Sequence, residues 1–251
     1  MRKVLNLVIF LVIVLLVVVP SIAYGARPLA TDDAGTVEKG HLEVEAGFEY
    51  VKETDKENNL SFVLKYGVLE DLDLGMEIPY NFIDFKESVD VDGIGDIIFS
   101  TKYHLSDETE NLPALALSYN IKTKIGDKDK SLGSGEIDHS LNAIFTKEIA
   151  DFTTHINFGY TFVGEPEGEE PDDIFSYSFA LEYAINESLN IVGEVVGETT
   201  FEGNFDENPC NGLLGFNYAL NETVVFDFGV GFEMSKASPD YQVTAGLTFG
   251  F

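Results

Sequence analysis

Residues Tyr241 to Phe251 read YQVTAGLTFGF. Alternate residues of a strand point to opposite faces. Tyr241, Val243, Ala245, Leu247, Phe249 and Phe251 therefore share an apolar face. Gln242, Thr244, Gly246, Thr248 and Gly250 share a small, polar one. The sequence ends on the aromatic with no charged tail to solvate it. That ending is expected of a strand whose apolar face lies in a bilayer. The alternative is the last strand of a soluble β-sandwich.

The same alternation runs upstream. From Gly40 onward Leu42, Val44, Ala46, Phe48 and Tyr50 oppose Glu43, Glu45, Gly47 and Glu49. Further strands are predicted near 60–69, 72–82, 95–105, 113–124, 137–149, 152–163, 174–185, 189–201, 213–220 and 223–234, which makes twelve with the last. Pro79 lies inside the third and cannot donate to a ladder, so a bulge is expected there. The connections sort by length. Residues 70–71, 106–112, 150–151, 186–188 and 221–222 are tight. Residues 54–59, 83–94, 125–136, 164–173, 202–212 and 235–240 are mostly longer and charged. Alternating short and long connections characterise a membrane barrel, and a sandwich has no reason to sort its loops this way. The predicted fold is all-β, a transmembrane antiparallel up-and-down β-barrel of about twelve strands over residues 40–251, with both termini at the short-turn end.

Upstream of the barrel, Arg2 and Lys3 precede an apolar run from Val4 to Val19, then Pro20, Ser21 and Ala23-Tyr24-Gly25. The run is shorter than the about 20 residues of a transmembrane helix. It reads as a signal peptide over residues 1–25, cleaved after Gly25; the alternative is an uncleaved anchor. Past it no apolar run is long enough to span, so entry into a membrane requires a closed barrel. Residues 26–39 (ARPLATDDAGTVEK) are polar and irregular, expected in the periplasm or in the barrel mouth. The formal net charge of −29 excludes nucleic acid as a partner, since phosphates need a basic surface. Cys210 is the only cysteine, so no internal disulfide forms. It falls in an expected loop, Asn208 to Gly212. Trp is absent, leaving Tyr and Phe to form any aromatic girdle.

The inward face carries the functional reading. The alternation places Glu43, Glu45, Glu49, Asp73, Glu77, Asp96, Asp138, Glu148, Glu182, Glu194, Glu198, Asp227 and Glu233 inside, against Lys65, Lys102, Lys122 and Lys124 with His104 and His155. Four lysines cannot neutralise thirteen acids. A water-filled, cation-favouring pore is expected, against the alternative of a narrow barrel filled by its own salt bridges. Candidate selectivity residues are Glu43, Glu45, Glu49, Asp73, Glu77, Asp96, Lys102, Lys122, Glu182, Glu194, Glu198 and Asp227.

Other chemistry is poorly supported. A barrel phospholipase needs His and Ser two apart on one outward face. His139 and Ser140 are adjacent, and His104 with Ser106 falls at a predicted short turn. One cysteine and scattered histidines make no metal site. Glu165 to Asp173 (EPEGEEPDD) lacks the ligand spacing of a calcium loop. Gly93-Ile94-Gly95-Asp96 is followed by no helix, so it is no nucleotide loop. No enzyme activity, metal or cofactor is expected.

Thr244, Gly246, Phe249 and Phe251 match the spacing of the C-terminal signal of bacterial outer-membrane barrels. Arg27-Pro28-Leu29, Thr31-Asp32-Asp33-Ala34-Gly35 and Gly40 to Glu45 resemble the opening of a bacterial envelope family, the outer-membrane transporters of the meta-pathway of phenol degradation. Gly93 to Asp96, followed by Lys102-Tyr103, matches a middle strand of that family. The resemblance implies an outer-membrane location, passage of small, even aromatic, solutes, contact with outer-membrane lipid, and insertion by the barrel-assembly machinery through the C-terminal strand. It carries no catalytic residues. Two further readings stay open, a closed structural or adhesive barrel and an outer-membrane hydrolase. The oligomeric state is also open.

Overall fold

The structure, a computed structural model, describes residues 27–251 except 54–55, 87–88, 167, 169–170 and 202–203. The expected signal peptide and Ala26 lie outside the described residues. Thirteen strands are found among the described residues: β1 (Leu42–Lys52), β2 (Lys56–Leu69), β3 (Leu72–Asp84), β4 (Val91–Ile94), β5 (Ile98–Ser106), β6 (Ala114–Lys122), β7 (Asp138–Ile149), β8 (Phe152–Phe162), β9 (Ile174–Asn186), β10 (Leu189–Thr199), β11 (Cys210–Asn221), β12 (Val224–Glu233) and β13 (Tyr241–Gly250). Apart from β4 and β5, sequence neighbours pair antiparallel, and β13 returns to pair with β1 along Glu43–Lys52. The sheet therefore closes and leaves no free edge. β4 lies opposite Tyr80–Ile83 and β5 opposite Leu72–Glu77, both against β3. They are two parts of one stave, so the barrel has twelve.

The break between β4 and β5 corrects the expectation at Pro79. No bulge forms in β3, whose register with β2 runs unbroken through the Ser61–Pro79 pair. The N–H and C=O of a strand residue point to the same side. The Pro79 carbonyl accepts from Gly95 N at 3.0 Å, so its missing N–H also faces the β4–β5 side. The irregularity falls on that neighbour, at residues 95–97.

Two further expectations change. β2 begins at Lys56, so the first connection at the long-loop end is only residues 53–55, while residues 107–113 form a seven-residue turn at the other end. The alternation of lengths is thus not strict. Lys56-Glu57-Asn58-Asn59 reads as loop from its polarity, yet it pairs with Glu49–Lys52 and lengthens the hairpin. Cys210 starts β11 instead of lying in a loop, and is buried. Its N–H donates to the Ser235 and Ser238 hydroxyls at 2.9 and 2.8 Å, tying the start of β11 to residues 234–240.

The two faces are sorted inside out. Phe48, Leu74, Phe99, Leu117, Leu141, Phe158, Phe179, Leu214 and Phe232 point outward and are each more than a third exposed. Glu43, Glu45, Asp73, Lys102, Ser118, His155, Glu194, Asn217, Asp227, Thr244 and Thr248 are buried inside. An exposed apolar belt this continuous suits lipid, not water. In β13, Thr244, Gly246, Thr248 and Gly250 face in, and Phe251 exchanges backbone hydrogen bonds of 2.8 and 2.9 Å with Leu42.

Candidate functional site

The interior is occupied by residues 27–39, which run from the short-turn end into the lumen. At the rim, Lys39 bridges Gly67, and Gly40 N donates to Gly67 O at 2.7 Å. Inside, the segment makes no regular ladder. Its backbone N–H groups instead donate to side chains of the wall. Val37 N reaches Asp73 at 3.1 Å, Ala34 N reaches Thr146 at 2.9 Å, and Asp32 N reaches Asn157 at 2.7 Å. Ala30 N, Thr31 N and the Thr31 hydroxyl converge on the Glu194 carboxylate at 2.7 to 3.0 Å. An irregular strand in a barrel has no backbone partner, so buried N–H groups must find acceptors on the wall.

The side chains of this strap are seated as well. Leu29 packs with Ala180, Val192 and Leu213, and Ala34 with Ala116 and Ile144. Pro28 lies over Gly215 and Gly229, where a Cβ would crowd its ring. Asp32 accepts from Lys102 at 3.1 Å, and its carbonyl accepts from Asn157 at 2.9 Å. Arg27 donates to the Thr244 hydroxyl at 2.6 Å and lies 3.5 Å from Asp227. Burial pushes the Asp33 carboxyl up. Lys102, Lys65 and the N–H of Gly35 outweigh it and hold the group below its ordinary value.

The candidate selectivity residues separate accordingly. All share the inner side of the sheet except Asp96, which follows β4. Glu43 and Glu45 both pair with Lys65, at 3.3 and 2.6 Å. Asp73, Lys102, Glu194 and Asp227 hold the strap. Glu182 pairs with His155 at 3.3 Å, and His155 continues to Thr146. Lys122 pairs with Asp138 and donates to Ser134. Asp96 does not face open lumen. It accepts from Gly126 N and Ser134 N, both at 2.9 Å, and pins residues 123–137 over the long-loop end. Glu49, Glu77 and Glu198 enter no ion pair among the described residues.

The excess of acids over lysines predicted an open lumen. That count left out the strap, whose backbone N–H groups satisfy Glu194 and Asp73. Sequence reading left residues 26–39 between the periplasm and the barrel mouth and named none of 27–34 as a lumen residue, because they have no strand period. The available signal was the RPL and TDDAG stretch that carries the family resemblance.

Two cavities flank the strap. One of about 890 Å³ opens at the short-turn end between Asp33, Glu43, Glu148, Glu182 and Glu222. The other, about 370 Å³, lies deeper, with Arg27, Glu45 and Glu77 on one side and Asn120, Asn142 and Asn157 on the other. Among the described residues, no three His, Cys, Asp or Glu side chains converge as metal ligands.

Known proteins with this fold are outer-membrane barrels. An outer-membrane channel from Pseudomonas putida F1 superposes with a TM-score of 0.73 at 12% identity, covering 89% of this chain and 100% of the channel. The NanC porin gives 0.58 at 10% identity over 83% of this chain and 98% of the porin. The KdgM porin gives 0.56 at 8% identity over 83% and 99%. No curated protein sequence matches. The model of one sequence family, described as "Putative MetA-pathway of phenol degradation", matches residues 25–251. With that match across the whole barrel and strap, the chain belongs to this family of outer-membrane β-barrels.

Proposed function

We propose that the chain is an outer-membrane channel for passive passage of small polar solutes, favouring cations and narrowed by its own strap. The observation that carries this reading is the set of inward carboxylates, Glu49, Glu77 and Glu198, that form no ion pair among the described residues. A charged wall around water raises the local concentration of counter-ions. The family description points to phenol breakdown. The aromatic side chains of the wall point outward, and the deeper cavity is lined by Glu45, Glu77, Asn120, Asn142 and Asn157 together with Arg27, Lys65 and Lys102, a lining of both charges that favours polar over aromatic solutes.

The test is the reversal potential in a KCl gradient across planar bilayers. A carboxylate contributes about 1 kcal/mol to a cation 4 Å away in water-like surroundings. Replacing Glu49, Glu77 and Glu198 together by Gln is expected to lower potassium over chloride preference about fivefold. An unchanged preference overturns the cation reading.

The full set of strap contacts favours a second reading, a closed structural barrel. Liposome swelling in small sugars separates the two. A hydrolase is disfavoured, because His104 turns inward and donates to Ala34 O at 2.7 Å instead of facing lipid. The C-terminal pattern Thr244, Gly246, Phe249 and Phe251 supports insertion by the barrel-assembly machinery. Deleting Phe251 is expected to reduce the heat-modifiable form in isolated outer membranes.

A further inference from the structure

The deepest residue of the strap sits in a socket of unusual shape. Gly47 of β1 and Gly246 of β13 are directly paired, and Asp227 of β12 is paired with Gly246 on the other side. Thr244 and Glu49 form the next pair along the same two strands. A Cβ at position 47 would fall among Nη1, Cζ and Nη2 of Arg27, the plane of the guanidinium itself. A Cβ at position 246 would fall 2.5 Å from Arg27 Nε and 2.6 Å from the Asp227 carboxylate. The two glycines thus leave a flat recess in the wall that accepts a planar group face-on.

The socket floor is charged and incompletely matched. Asp227 is only 1% exposed, and neither of its oxygens accepts a hydrogen bond among the described residues. Its ion pair with Arg27 Nε is long, at 3.5 Å, and that Nε–H also lacks an acceptor. A guanidinium presents five N–H donors in a rigid plane and can meet a carboxylate with two parallel bonds. Arg27, tethered at the end of the strap, reaches Asp227 with one nitrogen while Nη2 is held by Thr244 and the Ala245 carbonyl. An untethered guanidinium is free to turn and present two nitrogens to Asp227.

We infer that the recess formed by Gly47, Gly246, Thr244 and Asp227 is a guanidinium-binding subsite, and that Arg27 occupies it as a built-in competitor of guanidinium-bearing solutes. The shape argues for this class over cations in general. An ammonium is a compact charge that gains nothing from a flat recess, whereas a planar guanidinium fills it. The neighbouring Glu49 raises the local concentration of any cation without selecting its shape. The inference goes beyond the cation preference proposed above, and its test does not depend on conduction. A tethered group competes at an effective concentration of about millimolar for a short linker, so a solute must bind against Arg27 or meet a variant lacking it.

The experiment is calorimetric titration of the full-length mature barrel in detergent with agmatine and with 1,5-diaminopentane. The two dications differ in one end group, guanidinium against ammonium. In Arg27→Ala, agmatine is expected to bind one-to-one, at least tenfold more tightly than 1,5-diaminopentane and tenfold more tightly than to wild type. Adding Gly47→Val or Asp227→Asn to Arg27→Ala should abolish that preference, with heat-modifiable mobility showing that the barrel is folded. Equal affinities for the two dications in Arg27→Ala overturn the inference, as does agmatine binding that survives both second substitutions. If Arg27→Ala lacks the heat-modifiable form, Arg27→Lys decides. It keeps the charge but fits the recess poorly, so agmatine should bind it more tightly than wild type, and affinity equal to wild type overturns the inference. A barrel that binds agmatine selectively yet passes no current would remove the channel reading and leave the subsite standing.

Discussion

The Glu194 carboxylate receives the N–H groups of Ala30 and Thr31 and the Thr31 hydroxyl, so one wall side chain holds the centre of the strap. A hydrogen bond to a charged acceptor contributes about 1.5–3 kcal/mol, and leaving buried donors unmet adds a further cost. Glu194→Ala strands three donors at once. It should release the strap and raise mean single-channel conductance severalfold, with the heat-modifiable mobility of the barrel unchanged. Glu194→Gln keeps one acceptor oxygen and should fall between the two. Conductance of Glu194→Ala equal to wild type would show that the strap does not limit the path. That Glu194 points inward follows from strand alternation in VGEVVGE and was legible without a structure. Its partners were not. They are backbone N–H groups, which carry no residue identity, on a segment without periodicity.

Residues 123–137 form the longest connection at the long-loop end, and they are folded inward instead of standing free. Leu132 is buried against Gly93, where any side chain would collide with it. Asp96 holds both sides of the loop through Gly126 N and Ser134 N. Gly93 lies just before the break between β4 and β5 and Asp96 lies within it, so the break beside Pro79 is also the place where the loop docks. Asp96→Ala removes both anchors, each about 1.5–3 kcal/mol by the same measure. The loop should then open, and trypsin added to intact cells should cut at Lys124, Lys128 or Lys130 at least tenfold faster, while the barrel stays heat-modifiable. No change in cleavage would mean that Leu132 packing alone holds the loop. At this scale the strands were legible wherever hydrophobic alternation persisted, which fixed most ends within one or two residues. Two ends were lost for a shared reason. Lys56–Asn59 and Cys210–Gly212 lack an apolar alternation because they lie beyond the lipid-facing belt, where pairing continues but lipid no longer selects the outward residue.

The whole molecule couples a closed barrel with a strap held almost wholly by side chains. The strands are locked by continuous ladders from β1 around to β13. The strap has backbone pairing only at its root, near Gly67, and a glycine with positive φ, Gly40, stands where it joins β1. Wall and strap therefore differ in what must break for each to move: the barrel loses whole ladders, the strap separate side-chain hydrogen bonds and small apolar contacts. The channel reading therefore predicts that conduction involves a shift of the strap while the wall stays. A covalent lock tests this. Ala34 N donates to the Thr146 hydroxyl at 2.9 Å, so the two positions are neighbours, and a cysteine pair there is kept as the lock only if oxidation joins it. The native thiol of Cys210 is buried on β11 and is replaced by Ser to avoid exchange. In Cys210→Ser with Ala34→Cys and Thr146→Cys, the oxidised channel should conduct at least tenfold less than the same protein after dithiothreitol, and each single-cysteine variant should ignore the reductant. Equal currents before and after reduction, with the disulfide verified by mass, would mean that solutes pass beside a fixed strap. The barrel would then be a narrow pore of constant width, its selectivity set by Glu49, Glu77 and Glu198 on a fixed wall.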